Sequence, residues 1–211
     1  MKRYVIAVIL LVSLSAHGSE SRKSPDALVK LALEAEDQGK LAEAIGFHKA
    51  VVQAQPNNVK SLNSIAGLYG ALGNFQEEVA WAKRATDIDP KFEFALINLG
   101  NGYAGLGDAM HAKKAYAAVI TINLKSAMGH YSLGVLEEQT GDVSRAEAHY
   151  KKAIAADRGF ENAYLNLGAL CANQGRFDEA IDWLQRLLKT NPSSKDARDM
   201  LQRIRSDRVG Q

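Results

Sequence analysis

Apolar and polar positions recur along most of this chain with a fixed period. "INLGNGYAGLGDAMHAKKA" begins at Ile97, "YSLGVLEEQTGDVSRAEAH" at Tyr131 and "LNLGALCANQGRFDEAIDW" at Leu165, a step of 34 residues each time. The period extends in both directions without slipping, so residues 25–58, 59–92, 93–126, 127–160 and 161–194 form five units with no insertion. With each unit numbered from 1 to 34, apolar residues at positions 4, 7 and 11 have helical spacing and predict an amphipathic helix over positions 3–14. Position 15 is always glycine (Gly39, Gly73, Gly107, Gly141, Gly175), the residue that closes a helix in the left-handed conformation without steric penalty. A second apolar stripe at positions 17, 20, 21, 24, 27 and 28 predicts a second helix, which Pro56, Pro90 and Pro192 stop at position 32. Each unit is therefore a helix–turn–helix, with small residues at position 8 and mostly at position 20 for close helix approach. One such hairpin cannot bury its apolar faces alone, so neighbours must stack on it.

The pattern resembles the tetratricopeptide repeat family. The fifth unit carries the signature best: Tyr164, Leu167, Gly168, Cys171, Gly175, Ala180, Leu184 and Pro192 fall on the family's positions, and the resemblance covers residues 25–194. It implies an all-α fold, a right-handed α-solenoid of five helix-turn-helix repeats. Residues 195–211 add a capping helix and tail: Ser193 or Ser194 is placed to cap it, and Ala197, Met200, Leu201 and Ile204 give it an apolar stripe.

The ends of the chain change the picture. Lys2 and Arg3 precede an uncharged run, Tyr4–Ala16, and then "HGSESRKS". A basic start, a short apolar run and small residues after it predict a signal peptide over 1–18, followed by a linker over 19–24. The run is shorter than the roughly 20 residues of a membrane-spanning helix. The expected location is periplasmic or secreted; a retained leader would instead give an inner-membrane-anchored adaptor. Loss of residues 1–18 removes two cations and no acid, taking the net charge from +2 to zero. A chain without excess positive charge has no electrostatic footprint for nucleic acid. Cys171, the single cysteine, permits no internal disulfide and occupies a core position.

In the family it resembles, the first helices line a concave groove that holds a segment of another protein. The groove-facing positions place Asn63, Phe94, Ile97, Asn98, Asn101, Met128, Tyr131, Leu165 and Asn166 there, and from Asn63 to Asn173 only Glu138 among such positions is charged. Apolar side chains with amides that both donate and accept suit a protein or peptide partner. Ile97, Tyr131 and Leu165 have an alternative role, filling gaps between adjacent first helices. The family's two-carboxylate clamp is missing in every register: the first gives Val29, Leu33, Ser64, Phe94 and Asn98. Asn98 and Asn166 also resemble the asparagine ladder of repeats on O-glycosyltransferases, but Lys30, Ser64 and Ser132 break it.

Two departures from the pattern bear on chemistry. Glu78 takes position 20, where the other units have alanine; it is expected to lean out to solvent and spread the two helices. In the fourth unit His130 and Glu137 replace apolar residues, and His149 on the second helix can come near them. His130 and Glu137 lie about 10 Å apart along a helix, too far for one metal ion to bridge directly. A buried polar patch is the default there, with a metal or acid–base site as the alternative of a different class. No HExxH, phosphate-cradling glycine loop or serine–histidine pairing is present, so the expectation is a non-enzymatic scaffold that requires no cofactor, with self-association as a further option.

Overall fold

A computed structural model of the chain describes residues 23–209; the leader over 1–18 and most of the linker over 19–24 lie outside them. Among the described residues there are eleven α-helices and no strand. They divide into two compact units, the first ending at Leu106 and the second beginning at Gly107. None of these helices is long and apolar enough to cross a membrane.

The first unit contains α1 (Pro25–Asp37), α2 (Leu41–Ala54), α3 (Val59–Ala71), α4 (Phe75–Ile88) and α5 (Glu93–Gly105). Consecutive helices pack as antiparallel pairs, and α5 also packs against α3. The core gathers around Leu62, Ile65 and Val51, with Ala32, Ala44, Ala66 and Ala85 fully buried where helices come closest. The first helices begin two residues earlier than the apolar pattern indicates. The reason is local: the side chains of Ser24 and Asn58, just before α1 and α3, accept hydrogen bonds from the first-turn amides of Ala27 and Ser61.

The second unit contains α6 (Ala109–Ile122), α7 (Ala127–Gln139), α8 (Val143–Ala156), α9 (Glu161–Asn173), α10 (Phe177–Thr190) and α11 (Lys195–Val209). Its core holds Tyr150, Leu167, Leu184 and Leu187. Helix α11 packs on α10 as a cap, burying Ala197, Leu201 and Ile204. Of the two candidate caps, Ser194 is the one used: its hydroxyl accepts from the Ala197 amide at 3.2 Å and donates to Glu161.

The division into units does not follow the repeats, because the third repeat contributes α5 to one and α6 to the other. Glycines explain how α5 commits to the first unit. A Cβ on Gly102 would stand 2.7 Å from Val79 on α4, and one on Gly105 would collide with the Phe75 ring. Backbone approach at these two points seats α5 on α4.

All five turn glycines have positive φ, from 70° at Gly39 to 86° at Gly141, and no other residue type does among the described residues. Gly141→Ala is expected to lower unfolding stability by about 1–2 kcal/mol, the cost of an L-residue in the left-handed region. Gly46→Ala, in the exposed interior of α2 with open space around it, is expected to raise stability by about 0.5–1 kcal/mol. Urea unfolding of both variants checks the pair of signs.

Candidate functional site

The residues expected on the first-helix face divide between the units. Asn63 on α3 and Phe94, Ile97, Asn98 and Asn101 on α5 belong to the first; Met128 and Tyr131 on α7 and Leu165 and Asn166 on α9 belong to the second.

In the first unit the amides turn inward. The Asn98 amide donates to the Asn63 side-chain oxygen at 2.9 Å, tying α5 to α3. This bond uses part of the capacity expected to face a partner's backbone. Ile97 is 6% exposed, so little of its side chain is open to a partner. Phe94 is 55% exposed and stands edge-on to the Phe92 ring, at 5.8 Å between centroids. Asn101 is exposed. An open cavity of about 360 Å³ lies between α1 and α3, lined by Asp26, Val29, Leu33, His48, Lys60 and Ser64 among others. His48 reaches this region from α2, buried, with Nε2 3.0 Å from Glu36 and Nδ1 without a partner.

In the second unit a hydrogen-bonded network holds the face. The Asn166 amide donates to the hydroxyls of Tyr131 (3.4 Å) and Tyr150 (3.3 Å), and the Tyr150 hydroxyl donates to Glu138 at 2.6 Å. Burial, and then the Glu138 carboxylate, push the Tyr150 phenol far above its usual range. Burial likewise raises Tyr131. Gly134 makes the room: a Cβ there would lie 2.6 Å from the Tyr150 ring. Leu165 is half-buried against the core, and Met128 is exposed at the start of α7. Sequence reasoning missed Tyr150 and His48 as parts of this surface. Both stand at position 24, on the second helix and outside the groove-facing positions.

The polar residues of the fourth repeat separate. His130 and His149 approach with Nδ1 atoms 3.2 Å apart, and His130 Nε2 lies 3.3 Å from the Leu124 carbonyl. Burial holds both imidazoles below their ordinary range, so the pair is neutral at neutral pH, one ring donating to the other. Glu137 instead takes Lys113 at 2.7 Å. No group of three metal-ligating side chains occurs among the described residues. Cys171 is fully buried, as its core position implied.

Glu78 corrects an expectation. It does not lean out to solvent: it is 3% exposed. Glycines on two other helices accept its bulk. A Cβ on Gly70 would lie 2.6–2.7 Å from the carboxyl atoms of Glu78, and one on Gly102 would lie 3.3 Å from its Cγ. Its carboxyl has no hydrogen-bonding or ionic partner among the described residues, and burial alone pushes it up to about 7.

Two family models described as tetratricopeptide repeat match this chain, one over residues 29–91 and 97–161, the other over 139–204. The chain belongs to the tetratricopeptide repeat family. Among solved structures it is similar to the tetratricopeptide repeat protein TTC0263 of Thermus thermophilus, with a TM-score of 0.75 and 19% identity over 86% of this chain and 98% of that one. A structure of MamA matches with a TM-score of 0.61 and 25% identity, covering 78% of this chain and 90% of that chain. Among curated relatives, the type IV pilus assembly protein PilF of Pseudomonas aeruginosa is 32% identical over 97 residues, 46% of this chain and 37% of PilF. Anaphase-promoting complex subunit 3 of Schizosaccharomyces pombe is 20% identical over 70% of this chain and 22% of its own length. The chain thus spans well under half the length of these curated relatives.

The pH dependence of stability follows from Glu78. Its folded carboxyl holds a proton to about pH 7, against 4.5 for the ordinary group. The folded state therefore binds the proton more tightly, and this contribution is complete below about pH 4.5 and lost as pH rises through 7. Stability is expected to fall by about 3 kcal/mol between pH 4.5 and 8 from this group, at 1.36 kcal/mol per pH unit. Glu78→Gln should flatten that slope in urea titrations at the two pH values. Tyr150→Phe, which leaves Glu138 and Asn166 without the hydroxyl they share, should cost about 1–3 kcal/mol by the same measurement.

Proposed function

We propose that this tetratricopeptide repeat protein is a non-enzymatic scaffold that binds a segment of a partner protein on its first-helix faces. The observation that carries the reading is the exposure of Phe94 (55%), Leu33 (52%) and Met128 (37%), each on a first helix. Large apolar side chains left in water at groove-facing positions are surface awaiting burial. The bonded pairs beneath them, Asn63–Asn98 in one unit and Tyr131–Asn166 in the other, hold the first helices in place and keep that surface preorganised.

The proposal includes a place of work outside the cytoplasm, supported by the basic, apolar and small-residue succession over residues 1–18. Within a proposed role in pilus, outer-membrane or secretion assembly, the pilus reading has the support of the similarity to the pilus assembly protein PilF. The proposed partner is a protein or peptide segment and not a nucleic acid, in keeping with the near-zero charge balance of residues 19–211.

Affinity capture from the native cell envelope, with partners identified by mass spectrometry, tests this. The full chain should retain a protein that a Phe94→Glu, Met128→Glu double variant loses at unchanged helicity. Equal retention by both would remove the first-helix faces as the binding surface.

A further inference from the structure

The fourth repeat departs from the apolar pattern at two positions together. Position 4 of the first helix and position 23 of the second hold Leu28 and Phe47, Leu62 and Trp81, Leu96 and Ala115, and Tyr164 and Trp183 in the other repeats. In the fifth repeat the two side chains meet as rings, with centroids 6.2 Å apart. The fourth repeat puts His130 on α7 and His149 on α8 at these positions. Their ring centroids are 5.5 Å apart and their Nδ1 atoms 3.2 Å apart, so the two nitrogens lie almost on the line between the rings, as in a hydrogen bond. The third partner fixes the tautomers. A carbonyl only accepts, so His130 Nε2, 3.3 Å from the Leu124 carbonyl, carries a proton, and Nδ1 of that neutral ring is an acceptor. His149 Nδ1–H is then the donor, and His149 Nε2 is left without a proton.

We propose that this pair is an acid-sensitive joint: protonation of both imidazoles separates α7 from α8 and loosens the first-helix face of the second unit. A first added proton goes to His149 Nε2 and leaves both hydrogen bonds in place. A second can go only to His130 Nδ1, the acceptor of the contact, and sets the N–H groups of two cations against each other. The charged surroundings do not relieve this. Lys113 on α6 and Lys152 on α8 oppose charge on the pair, and Glu137 on α7, which favours it, is shared with Lys113 at 2.7 Å. On α9 the one charged residue, Glu161, is held by Asn191 and Ser194. His111 stands at the exposed start of α6 against Asp108. Tyr131, Tyr150, Tyr164 and Cys171 are all raised by burial and do not titrate in mild acid. The face responds because Tyr131 and Tyr150 directly follow the two histidines, and these tyrosines hold Asn166. Moving α8 away from α7 takes Tyr150 from Glu138 as well. The inference concerns an opening of the fold itself and stands apart from segment binding.

Burial holds both rings below the ordinary imidazole value, about 6.5, so the opened repeat binds protons more tightly than the closed one. The contact therefore keeps its full stability above that pH and loses it as pH falls below, the opposite sign to Glu78. Amide hydrogen exchange of the full chain at pH 7.5 and 5.5, expressed as protection factors, tests the joint. Protection in α7 and α8 is expected to fall about tenfold, the effect of one proton taken up on opening. A His130→Tyr, His149→Trp double variant, which copies the pair of the fifth repeat, should change less than twofold. Equal protection of the wild type at the two pH values, or an equal fall in the double variant, would overturn the proposal. NMR titration of the wild-type ring carbons decides the matter even if the variant folds poorly. His130 should titrate after His149, with a midpoint below 6.5, and the side-chain amide signal of Asn166 should shift with it. A His130 midpoint at 6.5 or above, or an Asn166 signal that ignores it, also overturns the joint.

Discussion

Close approach between the two helices of a hairpin, and between a hairpin and its neighbour, is the constraint on which the rest of this structure depends. Helices of 13 or 14 residues bury little by themselves, and only contact at nearly backbone distance removes enough surface from water to hold them. The fully buried alanines at position 20, Ala44, Ala112, Ala146 and Ala180, are consequences of that contact. So are Gly134 against the Tyr150 ring and Gly168 against Leu184, where a Cβ would lie 2.6 and 3.1 Å from the neighbouring side chain. At both points a large core residue is matched by a glycine on the helix it meets.

The surface chemistry grows from the same spacing. When first helices lie side by side, a second-helix residue at position 24 reaches between them. His48 and Tyr150 use that route to meet Glu36 and Glu138, and Asn166 extends the second of these pairs to Tyr131. These bonds set the side chains beneath the faces and leave Phe94 and Met128 standing free of them. The second repeat has Gly70 at position 12 and Ala82 at position 24, so it forms no such pair.

Much of this was legible in the sequence. The fixed period, the glycine at position 15 and the stripe in residues 197–204 each report a local rule: helical spacing, a left-handed turn, an apolar face. The turns at Gly39, Gly73, Gly107, Gly141 and Gly175 and the packing of Ala197, Leu201 and Ile204 follow directly. The candidate surface was legible only in outline. Ile97 and Phe94 are three residues apart and equally apolar, yet one is buried and the other is more than half exposed. Helical spacing locates a residue on a face to within a fraction of a turn, and burial at the edge of a contact changes over less than that. The residues from position 24 belong to the opposite helix and carry no groove signal of their own.

The sequence by itself determined that this chain is all helical, where its turns fall, and that the repeats must stack, because those properties depend on residues within a few positions of one another. The tertiary structure decided which polar groups find partners and how the third repeat is shared between units. Gly102 shapes both outcomes: it brings α5 onto α4 and clears the space beside Glu78, a residue on another helix in another repeat. Whether a carboxylate at position 20 turns outward or stays buried depends on the volume left by such distant glycines, and no local pattern carries that volume.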